Sequence, residues 1–326
     1  MMSEQEKPDV PQEFCPKPGD YAFDLEERLT AILSVRSQMG ADAVTVSHLG
    51  TEREGHGVLI NDNGLVLTIG YLITEAETIW LVDANGGATP AHTVGYDQET
   101  GFGLVQALGR LNVPHLELGD SSALMVGDPI VIGGHGGARN SVAAKVVSKR
   151  EFAGYWEYVL DEGIFTAPAH PFWGGSGAID RNGELVGITS LFVQQALPED
   201  TPFHGNLIVP IDLFKPIIDD LQQFGRVQKP PRPWLGIIMS EIQNALVVAN
   251  INERGPAQKA GLQIGDIILG VNGDQVDSLP SLFRGIWRVG AAGVEVPLII
   301  VRDGEVMDIG IPSVDRRLIL KSPQLH

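Results

Sequence analysis

The sequence predicts a mainly β protein followed by a smaller α+β domain, and three observations carry that prediction. From Ala43 to about Pro210 the apolar runs are short, often alternating or β-branched, and separated by Gly, Asn and Asp turn signals, as in a barrel or sandwich. Residues 225–233 then read Gly-Arg-Val-Gln-Lys-Pro-Pro-Arg-Pro, a stretch whose prolines favour extended backbone, the composition of a semi-rigid linker. Beyond it, strand-like runs mix with two helical candidates. At 326 residues, 43% apolar and 20% charged, the chain can build two buried cores.

Taken in order, residues 1–20 hold four prolines and many charges and read as a flexible arm. In 22–38, Phe23, Leu25, Leu29, Ile32, Leu33 and Val35 recur at near-helical spacing among Glu26, Glu27 and Arg28, which predicts an amphipathic helix packed on its own domain. The first domain then runs over 43–224. Its clearest hairpins turn at Asn61-Asp62-Asn63-Gly64, between Gly57–Ile60 and Leu65–Thr68, and at Asp180-Arg181-Asn182-Gly183, between Gly177–Ile179 and Glu184–Ile188. Asp212 reads as the N-cap of a helix reaching Phe224, with Gly225 as its stop. After the linker, a domain over 234–315 carries strand-like runs at 246–249 and 296–301, with helices expected at 256–260 and 280–289. Residues 316–326 form a tail. Gly285 costs the second of these helices about 1 kcal/mol against Ala, so packing by Leu282, Phe283, Ile286 and Trp287 must hold it.

Charge and composition exclude several function classes. With 41 Asp and Glu against 23 Lys and Arg, the net charge of −18 repels phosphate backbones and anionic lipid heads, and no basic patch offsets it, so no nucleic-acid partner is expected. No run of about 18 apolar residues appears, which predicts no membrane insertion. The single cysteine, Cys15, allows no internal disulfide. His48, His56, His92, His115, His135, His170, His204 and His326 lack the close pairing of zinc ligands, so no metal or other cofactor is expected. Gly133–Gly137 lacks the Lys-Ser or Lys-Thr ending of a phosphate loop. The N-terminus has neither the basic start nor the apolar core of a secretory signal, so as written the chain is expected to be cytoplasmic.

The segment from Gly55 to Thr68, Gly-His-Gly-Val-Leu-Ile-Asn-Asp-Asn-Gly-Leu-Val-Leu-Thr, resembles the start of the protease domain of HtrA-type serine proteases, which use a Gly-Ser-Gly-Val entry and a strand ending in Leu-Thr. Similar stretches follow in the family's order at 94–97, 118–121, 126–128, 183–188 and 208–211. The run from Gly255 to Ile268 resembles the most recognisable part of the bacterial PDZ domain. The resemblance covers roughly residues 55–315. It implies a chymotrypsin-like double six-stranded β-barrel followed by a small α+β PDZ domain, trimers as the oligomeric state, and a periplasmic address as the alternative to the cytoplasm.

A serine protease needs a base, an acid that orients it, a nucleophile on a tight turn and amide donors for the oxyanion. Carried onto this chain, the family's histidine position is Tyr71, its aspartate position Gly101 and its serine position Gly174. Phe172 stands at the glycine that shapes the oxyanion hole. Asp97 and Glu99 lie near the missing acid and read as solvated loop residues. A phenol with pKa near 10 is a poor base at neutral pH. The resemblance therefore implies a fold kept with its catalytic set degenerate. An alternative endopeptidase would use Ser176 as nucleophile with a recruited base such as His170. The bland reading of Ser176 is a turn hydroxyl bonded to backbone, and of the histidines, isolated loop residues.

In the PDZ fold, a short loop before the first groove strand offers consecutive amides to a terminal carboxylate while the ligand adds as a strand. Trp234, Leu235, Gly236 and Ile237 resemble that loop, with Leu282 and Ile286 as the expected opposite wall. Three readings follow: an adaptor that binds C-terminal or extended peptide segments through this groove, an endopeptidase using Ser176, and a structural oligomer, raised by the 22–38 helix and by the trimers that the resemblance implies.

Overall fold

Short strands with one face apolar bury that face by closing on themselves, and the first part of the chain does so twice. The computed structural model describes residues 10–197 and 203–321; residues 1–9 of the expected arm and 322–326 of the tail lie outside them. It comprises two units, one holding the chain to Arg150 together with Glu162–Val227, the other Glu151–Asp161 with Gln228–Lys321.

In the first unit a short helix α1 (Leu25–Leu29) leads into β1 (Ile32–Met39), and one turn of helix, α2 (Val46–Leu49), precedes β2 (Glu52–Leu59). With β3 (Leu65–Ile69), β4 (Ala76–Val82), β5 (Ala88–Tyr96) and β6 (Phe102–Ala107) they close a barrel in the order β1-β2-β3-β6-β5-β4. A second barrel follows from β7 (Pro129–Gly133), β8 (Val142–Gly154), β9 (Tyr158–Ala167), β10 (Gly177–Ile179), β11 (Leu185–Val193) and β12 (Gly205–Pro210), in the order β10-β11-β12-β9-β8-β7. Closure leaves no open sheet edge. Ile132, Val142, Ile164, Val186 and Ile208 fill the second interior. Both expected hairpins form, with Val58 opposite Leu67 and Gly177 opposite Ile188.

Three expectations change here. The helix over 22–38 is only α1, capped by the Asp24 carboxylate accepting from the Glu27 amide at 3.0 Å, and the rest is strand β1, paired with both β2 and β4. The first four residues of β1 are all buried, so the period-2 signal of a half-exposed strand is erased and the run imitates a helix face. The barrel therefore starts at Ile32 rather than residue 43. Part of the arm expected to be flexible is packed: Val10 and Phe14 lie on the second barrel's core, and the Cys15 thiol reaches the Arg139 carbonyl at 3.5 Å, while residues 11–13 and 17–20 are exposed. Asp212 caps no helix. Its carboxylate accepts from the Ser121 hydroxyl at 2.8 Å and the Ser122 amide at 2.9 Å, and helix α3 (Ile218–Phe224) begins six residues later, ending at Gly225 as expected.

The second unit is a sheet of β13 (Ile237–Ile242), β14 (Ala245–Ile251), β15 (Ile267–Val271), β16 (Asp274–Gln275), β17 (Glu295–Arg302) and β18 (Glu305–Pro312), ordered β13-β14-β15-β17-β18 with β16 on β15. It is crossed by helices α4 (Pro256–Lys259) and α5 (Leu279–Arg288). Ser278 and Ser281 cap α5 reciprocally, and Leu279, Leu282, Phe283 and Ile286 bury its apolar face. Gly285 is explained by close approach: a Cβ there would lie 3.3 Å from that of Val271. No described helix is long and apolar enough to cross a membrane, and no group of three or more His, Cys, Asp or Glu among the described residues could hold a metal.

Candidate active-site region and peptide groove

Tyr71 follows β3 on a single turn at Gly70–Leu72, which the buried guanidinium of Arg53 fastens by donating to the Tyr71 carbonyl at 2.6 Å and the Thr74 carbonyl at 3.2 Å. The phenol crosses to the second barrel and donates to the Ser190 carbonyl at 2.9 Å. Burial pushes its pKa well above the ordinary value of 10, against a smaller lowering from a side-chain hydrogen bond with Trp173. A Cβ built on Gly174 would lie 2.8 Å from the Tyr71 hydroxyl oxygen. Gly101 joins the same neighbourhood through its carbonyl, which accepts from the Gly70 amide at 2.7 Å. The three positions singled out in the sequence are thus brought together. Asp97 is buried rather than solvated, its carboxylate accepting from the amide and hydroxyl of Thr100 at 2.9 and 2.8 Å.

Because Tyr71 fills the space beside Gly174, we expect Gly174→Ser to destabilise the barrels by about 1–2 kcal/mol and the loss to shrink when Tyr71→His is added. A thermal-denaturation double-mutant cycle measures this, and strictly additive effects would contradict the contact.

Ser176 is fully buried, and its hydroxyl lies 3.0 Å from Nδ1 of His56 and 3.3 Å from the Phe172 carbonyl. The partner proposed for it from sequence, His170, is engaged elsewhere. Its Nδ1 lies 3.0 Å from the Phe172 N–H, which must donate, so Nε2 carries the proton and donates to the Asn140 carbonyl at 2.7 Å. Burial lowers the His170 pKa, so this neutral form is the one held. The Phe172 amide, expected from the resemblance to stand at the oxyanion hole, is spent on that ring. His135 is likewise held, Nε2 lying 2.9 Å from the Asp83 carbonyl. Sequence reasoning missed His56. The available signal was that a histidine stands where the resembled entry motif has a small serine. It packs edge-on against Phe172 at 5.0 Å between centroids.

In the second unit Trp234 bridges to Val314, and Leu235, Ile237, Leu282 and Ile286 share one buried cluster with Val159. The amides of Leu235, Gly236 and Ile237 converge on the carboxylate of Glu157, at 3.1, 2.8 and 3.1 Å. Next to them the Met239 amide on edge strand β13 donates to the Tyr155 carbonyl at 2.8 Å. Burial raises the Glu157 carboxyl to about 7, against the opposing pull of the three amides and of Arg316. No local pattern in the sequence marks Glu157, because its role depends on residues nearly eighty positions away.

Two family models match the chain, a trypsin-like peptidase domain over residues 55–188 and a PDZ domain over 233–312. A probable periplasmic serine endoprotease DegP-like of Pseudomonas putida (strain W619) is 30% identical over 278 residues, covering 79% of this chain and 55% of the relative. A probable periplasmic serine protease do/HhoA-like of Haemophilus influenzae is 29% identical over 78% of this chain and 57% of the relative. The chain thus spans about half the length of these curated relatives. Among solved structures, the HtrA-type protease AlgW with a decapeptide superposes with a TM-score of 0.53 at 18% identity, covering 92% of this chain and 98% of that one. The serine endoprotease from Yersinia pestis gives 0.52 at 21%, covering 89% and 96%. At such identities the structural likeness speaks for the fold.

The cytoplasmic expectation is corrected by these relatives, whose names place them in the periplasm. Export is read from a dedicated segment, and the composition of a folded body carries no such address. In fold, domain order and sequence, the chain belongs to the HtrA-like family, a trypsin-like peptidase domain followed by a PDZ domain.

Proposed function

We propose that this protein binds the C-terminal or extended segments of other polypeptides through its PDZ domain, with the double barrel as a non-catalytic scaffold. The observation that carries the reading is the convergence of the Leu235, Gly236 and Ile237 amides on one carboxylate beside the pairing edge of β13. Three consecutive N–H donors form an anion nest, and a sheet edge supplies the backbone pairing that an extended peptide needs. That AlgW has been solved with a decapeptide and with a tripeptide is in keeping with this.

The scaffold half of the proposal is supported by the barrel cleft. At the base position is a phenol whose proton is already donated to Ser190, and at the nucleophile position a glycine. Losing the nucleophile or the base alone costs about a million-fold in serine-protease turnover. The structural-oligomer reading loses one of its two supports, because most of the helix it invoked is barrel strand β1.

One observation favours a second reading, a serine endopeptidase: Ser176 and His56 are at hydrogen-bond distance. Against it, a substrate carbonyl must reach the hydroxyl, and Ser176 is wholly buried. The test is digestion of a labelled unfolded protein by the purified chain and by Ser176→Ala. No cleavage by either is expected; cleavage by the first alone makes Ser176 the nucleophile and ends the scaffold reading.

A further inference from the structure

The carboxylate held by the amide nest belongs to the chain itself. Residues 151–161, the tip of the β8–β9 hairpin, lie in the same unit as the PDZ fold. We propose that this tip is a built-in ligand of the groove, with Glu157 standing in for a peptide's terminal carboxylate, so that an external C-terminus binds only by displacing it. The inference rests on the peptide-binding reading above and adds how that site is regulated.

Four observations combine. First, the Glu157 side chain takes three consecutive amide donors, the full complement such a loop offers to a terminal carboxylate. Second, the Tyr155 carbonyl, two residues before it, accepts from Met239, so the tip also makes the edge-strand contact of an added peptide strand. Third, Val159 and Ala153 pack into the buried cluster of Leu235, Ile237 and Leu282, the residues expected from the sequence to wall the groove. Fourth, Arg284 on α5 contacts Glu151 and Asp161, each at 2.5 Å, and so clamps both sides of the tip.

Local conformation fits the same role. Glu157 has φ +59, a left-handed conformation that a non-glycine residue keeps only where its surroundings hold it. Trp156 and Tyr158 stack on each other, with centroids 5.9 Å apart and planes 16° apart, which stiffens the tip on either side of the carboxylate. A ligand tethered in this way acts at an effective concentration on the order of millimolar. The apparent affinity for an outside peptide falls by the fraction of time the groove stands open.

The test uses the full chain and a fluorescein-labelled decapeptide with three apolar final residues, made both with a free α-carboxylate and as the C-terminal amide. Fluorescence anisotropy should show the free acid binding Glu157→Ala at least about ten-fold more tightly than the unaltered chain, with Glu157→Gln between them and the amide weak throughout. Amide resonances of Leu235, Gly236 and Ile237 should move in both variants while those of β10 to β12 stay in place, which reports the lost contact without any peptide and shows the barrel still folded. Equal affinity of the unaltered chain and Glu157→Ala for the free acid, with the amide weak, overturns the built-in ligand and leaves the groove reading intact. Failure of Glu157→Ala to distinguish acid from amide overturns the groove reading, and this inference with it.

Discussion

Gly175→Ala is expected to destabilise the barrel unit by about 3 kcal/mol, lowering its melting temperature by roughly 10 °C. Gly175 sits at φ +78, where any Cβ carries a conformational cost of about 1–2 kcal/mol. The built Cβ would also stand 2.0 Å from the His56 carbonyl oxygen and 2.6 Å from the Thr68 hydroxyl. Neither obstacle can swing away. The carbonyl belongs to strand β2, and the Thr68 hydroxyl is bonded to that same carbonyl at 2.6 Å. Gly127→Ala is the control, since Gly127 has φ +98 and open space around its Cβ, and so pays only for the dihedral. Circular-dichroism melts of both variants separate the two costs. Equal melting temperatures for the pair would mean that the 172–176 loop does not pack against β2 as described.

Arg53→Ala should cost about as much, on the order of 3–5 kcal/mol, by a different mechanism. Arg53 is buried and donates to the carbonyls of Tyr71 and Thr74 and to the Thr45 hydroxyl at 2.6 Å. That hydroxyl in turn donates at 2.6 Å to the carboxylate of buried Glu75, which also accepts from the amides of Val44 and Thr45 at 3.0 and 2.8 Å. Removing the guanidinium takes a donor from the carbonyls of Gly50, Tyr71 and Thr74 and takes a cation from the neighbourhood of buried Glu75. Arg53→Lys should recover only part of the loss, because a single ammonium cannot span the four acceptors that the planar guanidinium reaches. Chemical denaturation measures both. Adding Glu75→Gln to Arg53→Ala should restore some stability, and a double variant with summed losses would argue against an electrostatic cause. The turn that carries Tyr71 hangs on this network, so the same variants should loosen the cleft.

Much of the architecture was legible because it is written in local chemistry. Turn residues at Asn61–Gly64 and Asp180–Gly183 set two hairpins, and Gly225 stops a helix, since backbone conformation at such positions depends on the residue itself. The misreading at 22–38 has the opposite origin. Ile32, Leu33 and Val35 are apolar at a spacing that suits either a helix face or a strand buried on both sides, and only pairing with β2 and β4 selects the strand. Of the site, Tyr71, Gly101 and Gly174 could be aligned by motif. His56 and Glu157 could not, because each acquires its role from a partner far along the chain.

The sequence by itself determined the domain order and the family, both of which follow from motifs read along contiguous stretches. Only the tertiary structure decided that Ser176 faces His56 rather than His170, that Asp97 is spent on its own turn, and that the amide nest at Leu235 to Ile237 holds a carboxylate from a hairpin tip. The physical reason is range. Turn and cap preferences act over a few residues, whereas a hydrogen bond between residues 157 and 236 requires the second unit to be folded so that donor and acceptor come within 3 Å of one another.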